Sequence, residues 1–409
     1  MLKRISVDQL RPGMYLHELC GSWMEHPFWR SKFVLRDPAD IAKIRDSGIS
    51  EVWINVEVGM DVEGGVSESE VREEIERELE AAATAPSPLI ELPRSRDEEL
   101  AQARKVIGRS REAVQSMFAE ARLGRAMDVE QGRRLVEEIA SSVMSSPGTL
   151  VSLARLKTTD TYTYLHSVAV CALMVSLGRQ LGLRESQVRE AGLAGLMHDL
   201  GKAVMPSPVL NKPGRLTDEE FAIIRTHPER GHALLLEGGN APPDVLDVCL
   251  HHHEKVDGSG YPHRLAGDQI SLIAKMGAVC DVYDAITSNR PYKTGWDPGE
   301  SLRQMAQWKG HFDPLVFQAF VKTVGIYPVG SLVRLQTGRL AVVIQQNPAS
   351  LLTPKVKVFF STKSNQRILP EEIDLGGPWC QDKVIACEPP DKWPFKDIDR
   401  LWAGEAARP

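Results

Sequence analysis

Eight of the eleven histidines fall between His166 and His263, and acids stand near most of them. His166 lies in DTYTYLHSVAV, His198 and Asp199 in GLMHDLGK, His227 in IIRTHPERG, His251 to His253 at the head of HHHEKVDGSGYP, and Asp281 in AVCDVYDA. Neutral imidazole and carboxylate are the usual ligands of borderline divalent metals, and helical bundles assemble such sites from facing helices. Singly, each residue has an ordinary explanation. A lone His on an apolar helix is more often a hydrogen-bonded core residue, and a His-Asp pair can simply end a helix. Three histidines can form an exposed polar helix end, and one Asp can pair with any nearby arginine. The set as a whole is harder to explain without a metal.

The elements that must position these residues are mostly helices. From about Asp97 to Leu183 the pattern is helical, with breaks near Gly124 and at Pro147-Gly148, and more helix follows from Glu185 to Asp199. Thr217 and Glu220 form a capping box that opens the helix expected to carry His227. Pro243 starts a helix running into the three histidines, Ile270 to Thr287 is helical, and Pro314 to Val324 makes a last helix. Residues 1–64 read instead as short strands, with one helix around Pro38 to Ser47. The next stretch is acidic and then Ala/Pro-rich; Ser67 and Glu70 fit a capping box, and Val71, Ile75 and Leu79 make a thin apolar stripe. After Gly325, YPVGSLVRLQ, RLAVVIQQN and PKVKVFFS predict a small antiparallel sheet, with an irregular tail from Trp379. The expected fold is mainly α: a β-rich domain at 1–64, a linker at 65–98, connecting helices at 99–150, a helical catalytic domain at 151–325 and a β-rich extension at 326–409.

Taken together, the pattern H…HD…D is the signature of the HD metal-dependent phosphohydrolases. GLMHDLGK, LNKPGRLTDEE, HPERG, HHEKVDGSGYP and DVYDAITSNRPYK, in this order, resemble the HD-GYP family of bacterial cyclic-di-GMP phosphodiesterases over roughly Leu156 to Gly325. The resemblance implies an all-helical catalytic domain preceded by a small N-terminal domain. It implies that His166, His198, Asp199 and Asp281 hold one metal, and that Asp199 bridges to a second bound by His227, His252 and His253. The implied cofactors are two divalent ions, with iron or manganese suited to these ligands. Some family members hold a third ion through a Glu four residues before the first His; that position here is Tyr162, which favours a dinuclear site.

In the implied reaction, two ions lower the pKa of a water that attacks phosphorus in line with the departing 3′ oxygen. Lys202, three residues beyond Asp199, is placed to orient water or phosphate. Arg290 and Lys293 of RPYK resemble a phosphate-binding pair, the guanidinium as a fork and the ammonium as a point charge. Tyr261 is a candidate for substrate contact, for bracing the loop, or for docking a GGDEF-domain protein; bracing and docking carry more weight. Glu254 and Asp257 read as loop organisers, and His251 as a bystander. The expected activity is hydrolysis of cyclic di-GMP to pGpG, with onward cleavage to GMP left open. An HD phosphohydrolase acting on another nucleotide and a low-turnover cyclic-di-GMP-binding adaptor are the competing readings.

The totals agree with a globular protein of two or three domains: 409 residues, 25% charged, and a net charge of −6. That charge argues against a partner that is a nucleic acid polymer or a membrane surface. The run Ser167 to Leu177 is too short to span a bilayer, and MLKRISVDQLRPGMYL lacks the apolar segment of a secretory signal. Six scattered cysteines without a CxxC pair suit a reducing cytoplasm. The helices from Asp97 to Met144 are available for homodimer pairing.

Overall fold

The computed structural model describes residues 1–21, 32–84, 96–124, 129–145, 147–155, 162–212, 214, 216–288, 295–347 and 349–404. The chain forms two compact units, Met1–Glu80 with Arg303–His311, and Ala81–Leu302 with Phe312–Pro409.

In the first unit, β1 (Leu2–Ser6), β2 (Tyr15–Leu19), β3 (Phe33–Val34), β4 (Glu51–Asn55) and β5 (Val66–Ser67) form an antiparallel sheet of order β3-β2-β4-β1-β5. The register sets Ile5 opposite Val52 and Lys3 opposite Ile54. Ile5, Leu16, Val52 and Ile54 are buried in one core with Ile41 and Ile44 of α1 (Pro38–Asp46). Asp37 starts α1 at the expected place, its Oδ1 accepting from the Ala39 N–H at 2.9 Å. The sheet extends past the expected boundary at 64, because β5 pairs with β1. Part of the expected linker is helix α2 (Glu68–Thr84). The Ser67 N–H donates to Glu70 Oε2 at 2.9 Å and the Glu70 N–H to Ser67 Oγ at 3.3 Å, completing the box. Val71, Ile75 and Leu79 are buried, so a stripe of three residues one turn apart outweighs the acidic composition around it.

The second unit begins with α3 (Arg96–Arg122), α4 (Val129–Ser145), α5 (Pro147–Arg155), α6 (Tyr162–Gln180) and α7 (Glu185–Met197). The helices expected to be connectors are core elements: Val106, Val114, Met117, Leu135, Ile139 and Val143 are all buried. Amphipathic helices with faces this apolar are stable only when packed. Helix α6 is apolar all round and buried from Leu165 to Leu177, as a central helix must be. Then come the short α8 (Ser207–Leu210), α9 (Asp218–Ile224), α10 (His227–Gly238), α11 (Pro243–His251), α12 (Leu272–Thr287), α13 (Pro298–Gln307), whose residues from Arg303 on count with the first unit, and α14 (Pro314–Val324). One expectation needs correction, and one helix was not anticipated. The Thr217 helix ends before His227, which instead opens α10; Pro228 in the next position has no N–H and suits a first turn. Helix α13 was hidden by Asp297-Pro298-Gly299, which reads as a turn. Asp297 Oδ1 accepts from the Gly299 and Glu300 N–H groups at 2.9 and 3.0 Å, so the turn is a helix start.

The remaining chain is a second antiparallel sheet, order β10-β6-β7-β8-β9, built from β6 (Leu332–Leu335), β7 (Arg339–Gln345), β8 (Lys355–Ser361), β9 (Gln366–Asp374) and β10 (Val384–Cys387). Val333, Leu335, Ala341, Val343, Val356 and Val358 form its core. The tail is more ordered than expected. Strand β10 pairs with β6, and α15 (Ile398–Ala403) buries Trp402. Among the described residues no helix is long and apolar enough to cross a membrane.

Candidate metal centre and active site

Helix ends carry most of the site. His198 caps the C-terminus of α7, and its Nδ1 lies 2.8 Å from the Gly195 carbonyl oxygen. His252 caps α11, with Nδ1 2.9 Å from the Val248 oxygen. His227 Nδ1 lies 2.8 Å from the Ile224 oxygen at the end of α9. The last carbonyls of a helix have no intrahelical partner, so an imidazole one turn further on donates to them. That pledges the Nδ1 proton in all three rings and turns each Nε2 lone pair inward.

Those lone pairs converge on carboxylates. His166 Nε2 lies 2.9 Å from Asp281 Oδ1 and 3.4 Å from Asp199 Oδ2; His198 Nε2 lies 3.4 Å from the same Asp199 oxygen. On the other side, His227 Nε2 lies 3.3 Å and His252 Nε2 3.8 Å from Asp199 Oδ1. His253 Nδ1 faces Asp281 Oδ2 at 3.8 Å. The ligand atoms thus form two sets, His166 with His198, Asp199 and Asp281, and His227 with His252 and His253; within each, all lie within 4.8 Å of one another. Asp199 presents one oxygen to each set.

The residues fit divalent cations. His198 Nε2 and Asp199 Oδ1 are buried without a hydrogen-bond partner among the described residues, a costly state unless something polar or charged lies between them. The Nε2 atoms of His227 and His252 stand 3.2 Å apart. With both Nδ1 protons pledged, two lone pairs face each other and need a cation. Two nitrogens at that spacing can share one ion at ordinary bond lengths of about 2.0–2.1 Å.

Electrostatics divides the two sets. Burial opposes a charge on His198, but Asp199 and then Asp281 outweigh it and push the imidazole up to about 10. His166 moves up as well, burial being outweighed by Asp199, Asp281 and Asp284. His252 is pushed down to about 3 by burial and by His198 and His227, and His253 is held well below its ordinary value by burial and by His252. Burial and Lys202 lower His227, although Asp199 pulls the other way. Asp199 and Asp281 lie well below the carboxylate range: burial raises both, and is overcome by Lys202 and His198 for Asp199 and by His166 and His198 for Asp281.

Packing explains why the halves meet. Gly201 follows Asp199 in a 3-10 turn, Leu200–Val204. A Cβ there would lie 1.9 Å from the His227 carbonyl oxygen and 2.6 Å from the Gly231 nitrogen. Only glycine lets α10 approach closely enough to bring His227 to Asp199. Lys202, on the same turn, pairs its ammonium with Asp199 Oδ2.

Two residues escaped the sequence reading. Asp284 Oδ2 lies 2.6 Å from His166 Nδ1 and orients that ring. Its signal was present: it follows Asp281 by three residues on α12, the same helix face. The other is Arg225, whose guanidinium carbon sits 4.5 Å from the Tyr261 ring centre.

The loop after the histidines is self-organised. Glu254 accepts from the His263 and Leu265 N–H groups at 2.7 and 3.0 Å, and Asp257 from Ser259 N–H and Oγ–H at 2.9 and 2.7 Å. A Cβ on Gly260 would lie 2.4 Å from the Lys255 nitrogen, so the loop folds tightly on itself. Tyr261 stacks on His253 at 4.7 Å and 24°. His253 and the Arg225 guanidinium therefore both lie against the Tyr261 ring, which limits its room for a guanine base. His251 bonds to Asp247 and His263, outside both ligand sets. Arg290 and Lys293 lie outside the described residues.

Comparison with known proteins places this geometry in context. Residues 134–316 match the family described as HD domain, and residues 2–131 match a domain of unknown function, DUF3391. The chain is 52% identical to the cyclic di-GMP phosphodiesterase PA4108 of Pseudomonas aeruginosa, over 99% of this chain and 97% of that protein. It is 37% identical to the cyclic di-GMP phosphodiesterase response regulator RpfG of Xanthomonas campestris, over 48% of this chain and 53% of that one. It is also 36% identical to the 3'3'-cGAMP-specific phosphodiesterase 2 of Vibrio cholerae, over 39% and 31% respectively.

Proposed function

The chain belongs to the HD-GYP family of HD-domain phosphodiesterases, and from that membership we propose that it hydrolyses cyclic di-GMP to linear pGpG, lowering signalling by this bacterial messenger. The observation that carries the reading is the division of Asp199, one oxygen toward His166 and His198 and the other toward His227 and His252. That arrangement suits a dinuclear centre, and Tyr162 in place of a carboxylate supports two ions over three. Imidazoles with carboxylates suit iron or manganese.

When bound, the ions supply Lewis acidity at the scissile phosphate and lower the pKa of water toward neutrality. The protein's own groups do the rest. Asp199 holds the ligand sets together. The Lys202 ammonium, beside Asp199 Oδ2, orients water or a non-bridging phosphate oxygen. Arg290 and Lys293 are proposed to bind phosphate, on the strength of the RPYK motif alone. Stacked on His253 and packed against Arg225, Tyr261 braces His253 rather than stacking on substrate. The compact GYP loop is a candidate surface for GGDEF-domain proteins, and the messenger itself implies a cytoplasmic location. A homodimer through Asp97 to Met144 has weaker support, because Val106, Val114, Ile139 and Val143 are already buried within the chain.

The test is anaerobic purification with metal analysis, followed by hydrolysis of cyclic di-GMP, pGpG and 3'3'-cGAMP in competition. About two ions per chain and preferred cleavage of cyclic di-GMP are expected. Bound metal with no turnover would favour an adaptor, and preference for another nucleotide would reassign the substrate.

A further inference from the structure

Arg225 packs on Tyr261, which itself stacks on His253 of the candidate metal centre. The His253 ring lies 4.7 Å from the Tyr261 ring, and the Arg225 guanidinium carbon lies 4.5 Å from the centre of the same ring. Among the described residues, the guanidinium has no carboxylate partner; its contacts are the rings of Tyr261 and Phe221, the latter at 5.9 Å. This sets it apart from neighbouring cations: Lys202 is paired with Asp199 and Lys212 with Glu220. Stacking uses only the face of a guanidinium. Its five N–H groups radiate in the plane and stay available to anionic oxygens.

The backbone also ties Arg225 to the site. It caps the end of α9, whose last residue, Ile224, gives its carbonyl oxygen to His227 Nδ1. The cation is therefore held at the rim of the centre on the side of His227, His252 and His253. A cyclic dinucleotide carries two phosphodiesters, and the metal ligand sets can engage only the scissile one. The other needs a protein cation beside the centre.

We propose that Arg225 is a substrate-binding residue that holds the non-scissile phosphate of a cyclic dinucleotide, pre-oriented by its stacking on Tyr261. The proposal rests on the phosphodiesterase reading above and adds a specificity element to it: ligands with a second phosphate are favoured over simple diesters.

The experiment compares the wild-type enzyme, Arg225→Gln and Arg225→Lys on cyclic di-GMP and on bis(p-nitrophenyl) phosphate, which has a single phosphate, with metal content measured for each. Arg225→Gln should raise KM for cyclic di-GMP by roughly ten- to a hundredfold, the worth of a charge-assisted contact. The simple diester should be affected far less, and metal content should hold. Arg225→Lys should recover part of the loss, since a point charge remains without the fork. Equal losses on both substrates, or loss of metal, would make Arg225 a brace for Tyr261 and His253 and overturn the proposal. An unchanged KM for cyclic di-GMP in an active Arg225→Gln enzyme would overturn it while leaving the proposed function standing. A wild-type enzyme that cleaves the simple diester but not cyclic di-GMP would remove both.

Discussion

The two ligand sets share Asp199, and all their members but the partly buried His253 are buried, yet they respond to protons in opposite ways. His166 and His198 stand against Asp199 Oδ2 and Asp281 Oδ1, with Asp284 behind His166. Among the described residues, the carboxylate oxygen within 4 Å of His227 and His252 is Asp199 Oδ1, and His253 has Asp281 Oδ2 at 3.8 Å. The first pair is pushed toward the charged form and the second group toward the neutral one. Burial alone would depress all five. The difference therefore measures how many carboxylate oxygens each half owns. A cation entering the carboxylate-rich half displaces protons, whereas the imidazole-rich half is already in the form a metal requires.

The largest expected effect is one that the halves share. Asp199→Ala takes an oxygen from each set and should lower cyclic di-GMP turnover by roughly a thousandfold or more, the upper end for removing an electrostatic catalytic group. Metal content should fall toward zero while far-UV circular dichroism stays helical. Retention of one tightly bound ion would show that a single half stands without Asp199.

Asp284→Ala should separate the halves. It leaves every metal ligand in place and removes the group that orients His166. Such outer partners typically contribute about 10–100-fold in metal affinity or activity. Titration with a chelator should show one ion loosened by that factor and the other unchanged. Equal loosening of both would mean that the sets act as one unit.

The smallest effect is on stability against pH in the metal-free protein. His252, pushed down to about 3, stays neutral in the fold between about pH 6.5 and 3, while the unfolded chain takes up a proton; stability falls as pH drops through that window. His198, pushed up to about 10, keeps its proton between about pH 6.5 and 10, while the unfolded chain releases it; stability falls as pH rises there. The melting temperature of chelator-treated protein should peak near neutrality. A steady trend through pH 6.5 would show that one half dominates and the asymmetry is not real.

Much of this was legible in the residues. The helical pattern from Asp97 to Leu183 and the Ser67–Glu70 and Thr217–Glu220 boxes marked helices and their starts, because capping and periodicity are local effects. Where the reading failed, local signals competed. Asp297-Pro298-Gly299 looks like a turn and is the cap of α13. The acidic stretch around Val71, Ile75 and Leu79 looked solvated, yet its stripe is buried. The tail after Trp379 lacked period, and β10 exists because β6 offers it an edge.

The sequence by itself determined which imidazoles and carboxylates are available as ligands, and local chain geometry turns several of them inward. A histidine at a helix end must find its carbonyl one turn back, and HDLGK needs glycine wherever another backbone comes close. Only the tertiary structure decided which oxygen of Asp199 serves which set, that Asp284 backs His166 across 118 residues of chain, and that Arg225 lies over Tyr261. The physical reason is range. Helix periodicity and capping act over three or four residues, whereas these contacts join helix ends brought together by burial of distant apolar faces, and no local pattern encodes that meeting.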